Sequence, residues 1–258
     1  MESFALDALP LCAFAFLAGF IDSIAGGGGL IQLPALFIFS PLDEHATIFG
    51  TNKLSSICGT SVATAQYARR VELDWRVALW TAGFAFVFSF LGARVVSLVP
   101  KDWIRPIVFV LLVVVGVYVA AKKDFGANRS PKLTGWKSTL CAALLGAGIG
   151  FYDGFFGPGT GSFLIVAFIG IFGCDFLRAS AMAKAVNFST NFAALCYFAP
   201  AGHVIVSLGL AMGAFNVLGS ILGSRLALLK GSAFVRGAFL LVIAATILKF
   251  ALDAFDAS

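Results

Sequence analysis

Charge is the scarcest property of this chain. Only 12% of its 258 residues are Asp, Glu, Lys or Arg, against about 25% in an ordinary soluble domain. That scarcity excludes an independent soluble fold. Histidine is nearly absent: His45 and His203, both near expected loops, leave little material for a metal cluster or a histidine-based nucleophile. The five cysteines (12, 58, 141, 174 and 196) are odd in number and form no C-x-x-C pair, so they are expected to be small buried hydrophobes. No P-loop is present, and the chain is not expected to hydrolyse ATP. The net charge of +5 is not gathered into a basic patch interleaved with aromatics, which argues against nucleic acid as a partner. Nothing in the residue pattern asks for a cofactor.

Hydrophobic residues make up 60% of the chain, and the runs Val77 to Val99 and Trp103 to Ala121 reach the roughly 20 residues that cross a bilayer. The fold class expected is an all-α polytopic membrane protein forming one integral domain over 1–258. The first apolar segment follows Glu2 and Asp7 rather than lysines, and is read as retained rather than cleaved. Trp75 and Trp103 flank a span as interface anchors do, and most of the 28 phenylalanines are expected to pack toward lipid.

A shift of 131 residues superposes the chain on itself. Asp22 falls on Asp153, Gly26 on Gly157, Gly28 on Gly159, Lys53 on Lys184, Arg94 on Arg225 and Arg105 on Arg236. Ser89-x-Leu91-Gly92-x-Arg94 falls on Ser220-x-Leu222-Gly223-x-Arg225. One unbroken offset predicts a duplication, with repeat one at 1–122, a linker at 123–137 and repeat two at 138–258. Each repeat begins with an apolar segment (Leu9 to Ala25, Ser138 to Phe156) that ends in a glycine-rich break. A short piece follows (Leu30 to Phe39, Ser162 to Phe172), then a segment bearing the lysine (Ala46 to Ala68, Ala179 to Ala199). Val204 to Leu229 and Val235 to Leu252 complete the second repeat. Pieces of about ten residues cannot span about 30 Å of hydrocarbon at 1.5 Å per residue. Consecutive glycines cost a helix about 1 kcal/mol each against alanine. Each repeat is therefore expected to hold a broken or re-entrant hairpin plus three transmembrane helices, with a polar cavity at the break.

Loop charges set the orientation. If each hairpin returns to its own side, eleven Lys and Arg share one side and three the other; if each crosses once, the split is nine to five. The first arrangement places both termini outside and inverts the repeats relative to each other.

Several residues carry chemistry in this reading. Asp22 and Asp153 precede the breaks, and an ionised aspartate in hydrocarbon costs about 2.5–3.5 kcal/mol unless a lysine, backbone donor or proton offsets it. They are either coupling or gating carboxylates, or caps accepting from amides freed by the hairpin. Lys53 and Lys184 either snorkel or face a substrate. Lys53, Ser56 and Thr60, and equally Lys184, Asn187 and Asn191, have the spacing of one helical face, and Asn52 adjoins the first lysine. Gly27, Gly28 and Gly29, with Gly159, Thr160 and Gly161, open short helices whose free amides and dipoles suit a small oxyanion. Close helix packing explains the same glycines. Arg94 and Arg225 are expected to snorkel or pair with a carboxylate rather than touch substrate.

The string Gly19 to Leu30, followed by Pro34 and Thr51-Asn52-Lys53, resembles the first repeat of the TauE/SafE sulfite exporter family. Gly150 to Gly161, with Ala183-Lys184 and Asn187, resembles its second repeat, and the likeness is strongest to the YfcA-like branch. The resemblance implies a multi-pass permease of the bacterial inner membrane for small sulfur-containing anions such as sulfite, sulfoacetate or other organosulfonates. Membrane lipid is the other partner expected, and a homodimer is compatible with the reading. A passive anion channel, a membrane-embedded enzyme and an accessory subunit are the alternatives; spans poor in histidine argue against the enzyme.

Overall fold

The computed structural model describes residues 2–40, 44–100, 133 and 135–256, with side chains described between 9 and 238 and at 241. The expected span Trp103 to Ala121, and with it Lys101, Arg105 and most of the 123–137 linker, lies outside the described residues. Those described form helices and connections, with no strand among them.

Eight helices follow in order: α1 (Glu2–Ala25), α2 (Gly29–Phe39), α3 (His45–Ala68), α4 (Trp75–Leu98), α5 (Gly135–Phe155), α6 (Thr160–Phe172), α7 (Phe176–Phe198) and α8 (Val206–Asp256). Local chemistry fixes several boundaries. Asp74 and Asp175 cap α4 and α7, accepting from the backbone amides of Val77 at 3.2 Å and Arg178 at 2.8 Å. α2 stops at Ser40, whose extended backbone (ψ 138) precedes Pro41. α8 is broken at Gly231, whose φ of 72 and ψ of −168 no helix accommodates. Trp75–Leu98 and Val206–Ala238 are long and apolar enough to cross a membrane. α3 and α7, of 24 and 23 residues, match Trp75–Leu98 in length but bury Asn52, Lys53 and Thr60, and Lys184, Asn187 and Asn191, inside the bundle.

α4 lies against α5 and α1 against α8, each pair at glycine-level separation. A Cβ on Gly146 would strike Thr81, one on Gly150 would strike Ala85, and one on Gly154 would strike Ser89, so α4 and α5 run parallel. Gly219 and Gly223 meet Phe16 and Phe20 in the same way, so α1 and α8 run parallel as well. Small residues let such helices touch along their backbones. α3 also runs parallel to α8, with Gly209 against Leu54 and Gly213 against Cys58. Short connections then sort the termini. α1, α3 and α8 begin at one end of the bundle, called the first end. α4, α5 and α7 begin at the second end, where α3 finishes.

Two apolar clusters form the core. One, toward the second end, includes Ile24, Tyr67, Val77, Phe168 and Met182. The other, toward the first end, includes Leu11, Leu36, Phe49, Phe198 and Met212. A polar layer lies between them.

Candidate functional site

The polar layer is built where the two short helices start. At the end of α1 the chain turns through Gly26 and Gly27, with φ of 75 and 95, and α2 begins at Gly29. At the end of α5 it turns through Gly157 and Gly159, with φ of 94 and 83, and α6 begins at Thr160. The two turns touch: a Cβ on Gly161 would lie 2.7 Å from the Cα of Gly26.

Each lysine meets the aspartate of the other half. Lys53 Nζ donates to Asp153 Oδ2 at 2.9 Å and to the Asp153 carbonyl at 2.7 Å. Lys184 Nζ donates to Asp22 Oδ2 at 2.9 Å. Side-chain exposure is 3% and 6% in the first pair and 0% and 18% in the second. The 131-residue shift converts one pair into the other. Asp22 also caps the first hairpin, its Oδ1 accepting from the Gly28 amide at 3.2 Å. Asp22 is thus both a cap and a counter-ion.

Lys53 lies eight residues after His45 on α3, and Lys184 eight residues after Phe176 on α7. At 1.5 Å per residue each pair is about 12 Å inside its own end of the bundle. The two pairs therefore occupy different depths, one on either side of the middle.

Between them is a cavity of about 40 Å³. A water needs about 10–15 Å³ by that measure, so the space takes a few waters or one small oxyanion. Of the residues picked out in the sequence, Asp22, Gly27, Gly28, Gly29, Asn52, Lys53, Ser56, Asp153, Gly159, Thr160, Gly161, Asn187 and Asn191 line it. Lys184 does not; it stands behind Asp22. Among the described residues, the amide oxygens of Asn52 and Asn187 have no hydrogen-bond partner, though both are buried. Buried acceptors left open in this way mark a place for water or a ligand.

Two polar lining residues escaped the sequence reading. Asn216 of α8 donates its Nδ2 to Gln32 Oε1 at 2.8 Å, and Gln32 Nε2 reaches the Asn52 carbonyl at 3.5 Å. The shift maps them onto Ala85 and Phe163, so a search for matched positions passes over them. The available signal was simpler: an uncharged amide standing alone in each of two apolar runs. Arg94 and Arg225 are exposed and remote from the cavity. Of the cysteines expected to be buried, Cys196 is exposed and Cys58 is half-buried against Gly213; neither lines the cavity.

A family model described as sulfite exporter TauE/SafE matches residues 11–250. The chain belongs to the TauE/SafE family. Relatives within reach of the TauE/SafE chain carry transporter names. The probable membrane transporter protein ORF9 of a Sinorhizobium species is 38% identical over 242 residues, covering 93% of this chain and 90% of the relative. The probable membrane transporter protein YfcA of Escherichia coli K12 is 37% identical over 240 residues, covering 93% and 87%. A probable membrane transporter protein of Haemophilus influenzae is 33% identical over 226 residues, covering 86% and 85%. No solved structure matches the chain. Family and helical architecture together make this TauE/SafE chain a membrane transporter protein.

Proposed function

We propose that the chain is a secondary permease of the bacterial inner membrane that carries small sulfur-containing anions by alternating access. The observation that carries this reading is the pair of crossed, buried Lys–Asp contacts flanking a small cavity lined by amides and glycine turns. Four charges sum to zero there, so an entering anion competes with a carboxylate for a lysine already in place. Glycine turns let the anion approach backbone amides, and Asn52, Ser56, Asn187 and Asn191 supply further hydrogen bonds. The cavity volume favours sulfite over sulfoacetate or a longer organosulfonate in this conformation, because the larger ions need the hairpins to part.

The two pairs also suggest how access alternates. Each sits about 12 Å from one end of the bundle, beneath its own apolar cluster. Opening Lys53–Asp153 exposes the cavity to the first end; opening Lys184–Asp22 exposes it to the second. Such a scheme fits two inverted repeats, 1–122 and 138–258, joined by the 123–137 linker. Support comes from α1 and α5, which begin at opposite ends, and from contacts that the shift interconverts: Gly19 on Asn216 with Gly150 on Ala85, and Gly223 on Phe20 with Gly92 on Phe151.

The test is flux of radiolabelled sulfite into liposomes holding only the purified chain. Uptake that is saturable, driven uphill by an imposed gradient and lost in the Lys53→Ala, Lys184→Ala double variant is the expected result. Downhill flux alone would support a passive channel. Normal uptake in the double variant would remove the reading.

A further inference from the structure

Outside the polar layer, a groove of about 750 Å³ opens between α3 and α8 at the second end. Arg69 and Arg70, just past the end of α3, and Arg225 on α8 line it, above a wall that includes Val62, Ile221 and Leu228. All three arginines are exposed, and among the described residues none has an ion-pair partner.

Arg225 stands on an apolar stripe. Leu218, Leu222, Arg225 and Leu229 have the spacing of one helix face. The three leucines are 53%, 51% and 82% exposed, which in a membrane means facing lipid. An arginine on such a face needs an anion or an escape to the interface. The groove supplies two more guanidiniums and an apolar floor, a combination that matches an amphiphile with an anionic head. A free inorganic anion has no use for the floor.

The molecule contains its own control. The 131-residue shift carries this stripe onto Val87, Leu91, Arg94 and Leu98 of α4, equally exposed at 55%, 42% and 73% for the apolar three. There Arg94 stands without the other two arginines, because Arg69 and Arg70 map onto Pro200 and Ala201. Among the described residues, only the second end has the cluster.

We propose that the groove binds the headgroup phosphate of an anionic phospholipid beneath Arg69, Arg70 and Arg225, with an acyl chain along Val62, Ile221 and Leu228. Planar guanidiniums suit bidentate phosphate recognition, and basic pockets between transmembrane helices hold such headgroups. This inference does not depend on what the central cavity carries.

The full chain, purified in a neutral detergent, is titrated with dioctanoyl phosphatidylglycerol, dioctanoyl phosphatidylcholine and inorganic phosphate while thermal unfolding is followed. Saturable stabilisation by phosphatidylglycerol alone is expected. Arg69→Gln with Arg225→Gln weakens its apparent Kd at least tenfold, and Arg94→Gln leaves it unchanged. Equal stabilisation by phosphate would make the groove a free-anion site, and equal stabilisation by phosphatidylcholine would make it merely apolar; either result overturns the proposal. Because the double variant can fail to fold, native mass spectrometry of the single variant Arg70→Gln provides a second readout. It should retain less phosphatidylglycerol than the parent and Arg94→Gln; equal retention in all three overturns the assignment.

Discussion

Lys53 spends its charge on a partner 100 positions away. Its ammonium donates twice to Asp153 in a setting where both side chains are at most 6% exposed. Removing one member of such a pair leaves the other buried and uncompensated, at a cost of about 3–5 kcal/mol. Lys53→Ala should therefore lower the thermal midpoint sharply, whereas Lys53→Ala combined with Asp153→Ala should recover much of the loss. A double-mutant cycle on detergent-purified protein measures this, and strictly additive effects would show that the contact carries no coupling. Equivalence of the two lysines and of the two aspartates was legible in the 131-residue offset. Their partnership was not, because pairing within a half and pairing across halves obey the same offset. Only the packing of α3 against the second hairpin decides between them. Gln32 and Asn216 were hidden for the opposite reason: they break the symmetry that guided the search.

Helices in this bundle meet through glycine, and the same residue does two different jobs. In the hairpin turns it permits a left-handed backbone. Gly157 has φ of 94, and a Cβ there would lie 3.2 Å from Lys53 Nζ. Alanine at that position costs about 1–2 kcal/mol in backbone strain and also crowds the ammonium. Gly157→Ala is expected to stay folded but to lose most transport, as measured by sulfite flux normalised to protein. In the α4–α5 and α1–α8 contacts glycine instead removes bulk. Gly150→Leu would drive a side chain into Ala85 and should destabilise the protein markedly, while Gly148, with no atom of the described residues near its missing Cβ, offers the contrast. Gly148→Ala should raise stability by up to about 1 kcal/mol, the ordinary helix-propensity gain. A lower midpoint for Gly148→Ala would mean that α5 has a neighbour on that face. Most helix boundaries were readable to within three residues because Pro, Gly and Asp punctuate them. The exceptions are the start of α1, at Glu2 rather than Leu9, and α8, where the expected gap after Leu229 shrinks to the single break at Gly231, since one glycine of φ 72 redirects the chain without a loop.

Orientation in the membrane belongs to the whole molecule, since it depends on every loop at once. The second end gathers Arg69, Arg70, Arg76, Arg178 and Lys230, while the described connections at the first end offer none between Phe198 and Val206. By the positive-inside rule we propose that the second end faces the cytoplasm and the first the periplasm. Two exposed positions report on this. Ala201 lies in the connection between α7 and α8 at the first end, and Glu72, 96% exposed in its side chain, lies between α3 and α4 at the second. With Cys196 replaced by serine to silence the exposed native thiol, Ala201→Cys should react with a membrane-impermeant maleimide in intact cells. Glu72→Cys should react only after the inner membrane is opened. The reverse pattern would flip the protein and move the arginine groove to the outer leaflet, leaving the crossed ion pairs untouched. Labelling of both positions from outside would be more damaging, because Tyr67 and Arg69 could then not mark the opposite end from Phe198. The depths of the two Lys–Asp pairs, and the alternation built on them, would have to be abandoned.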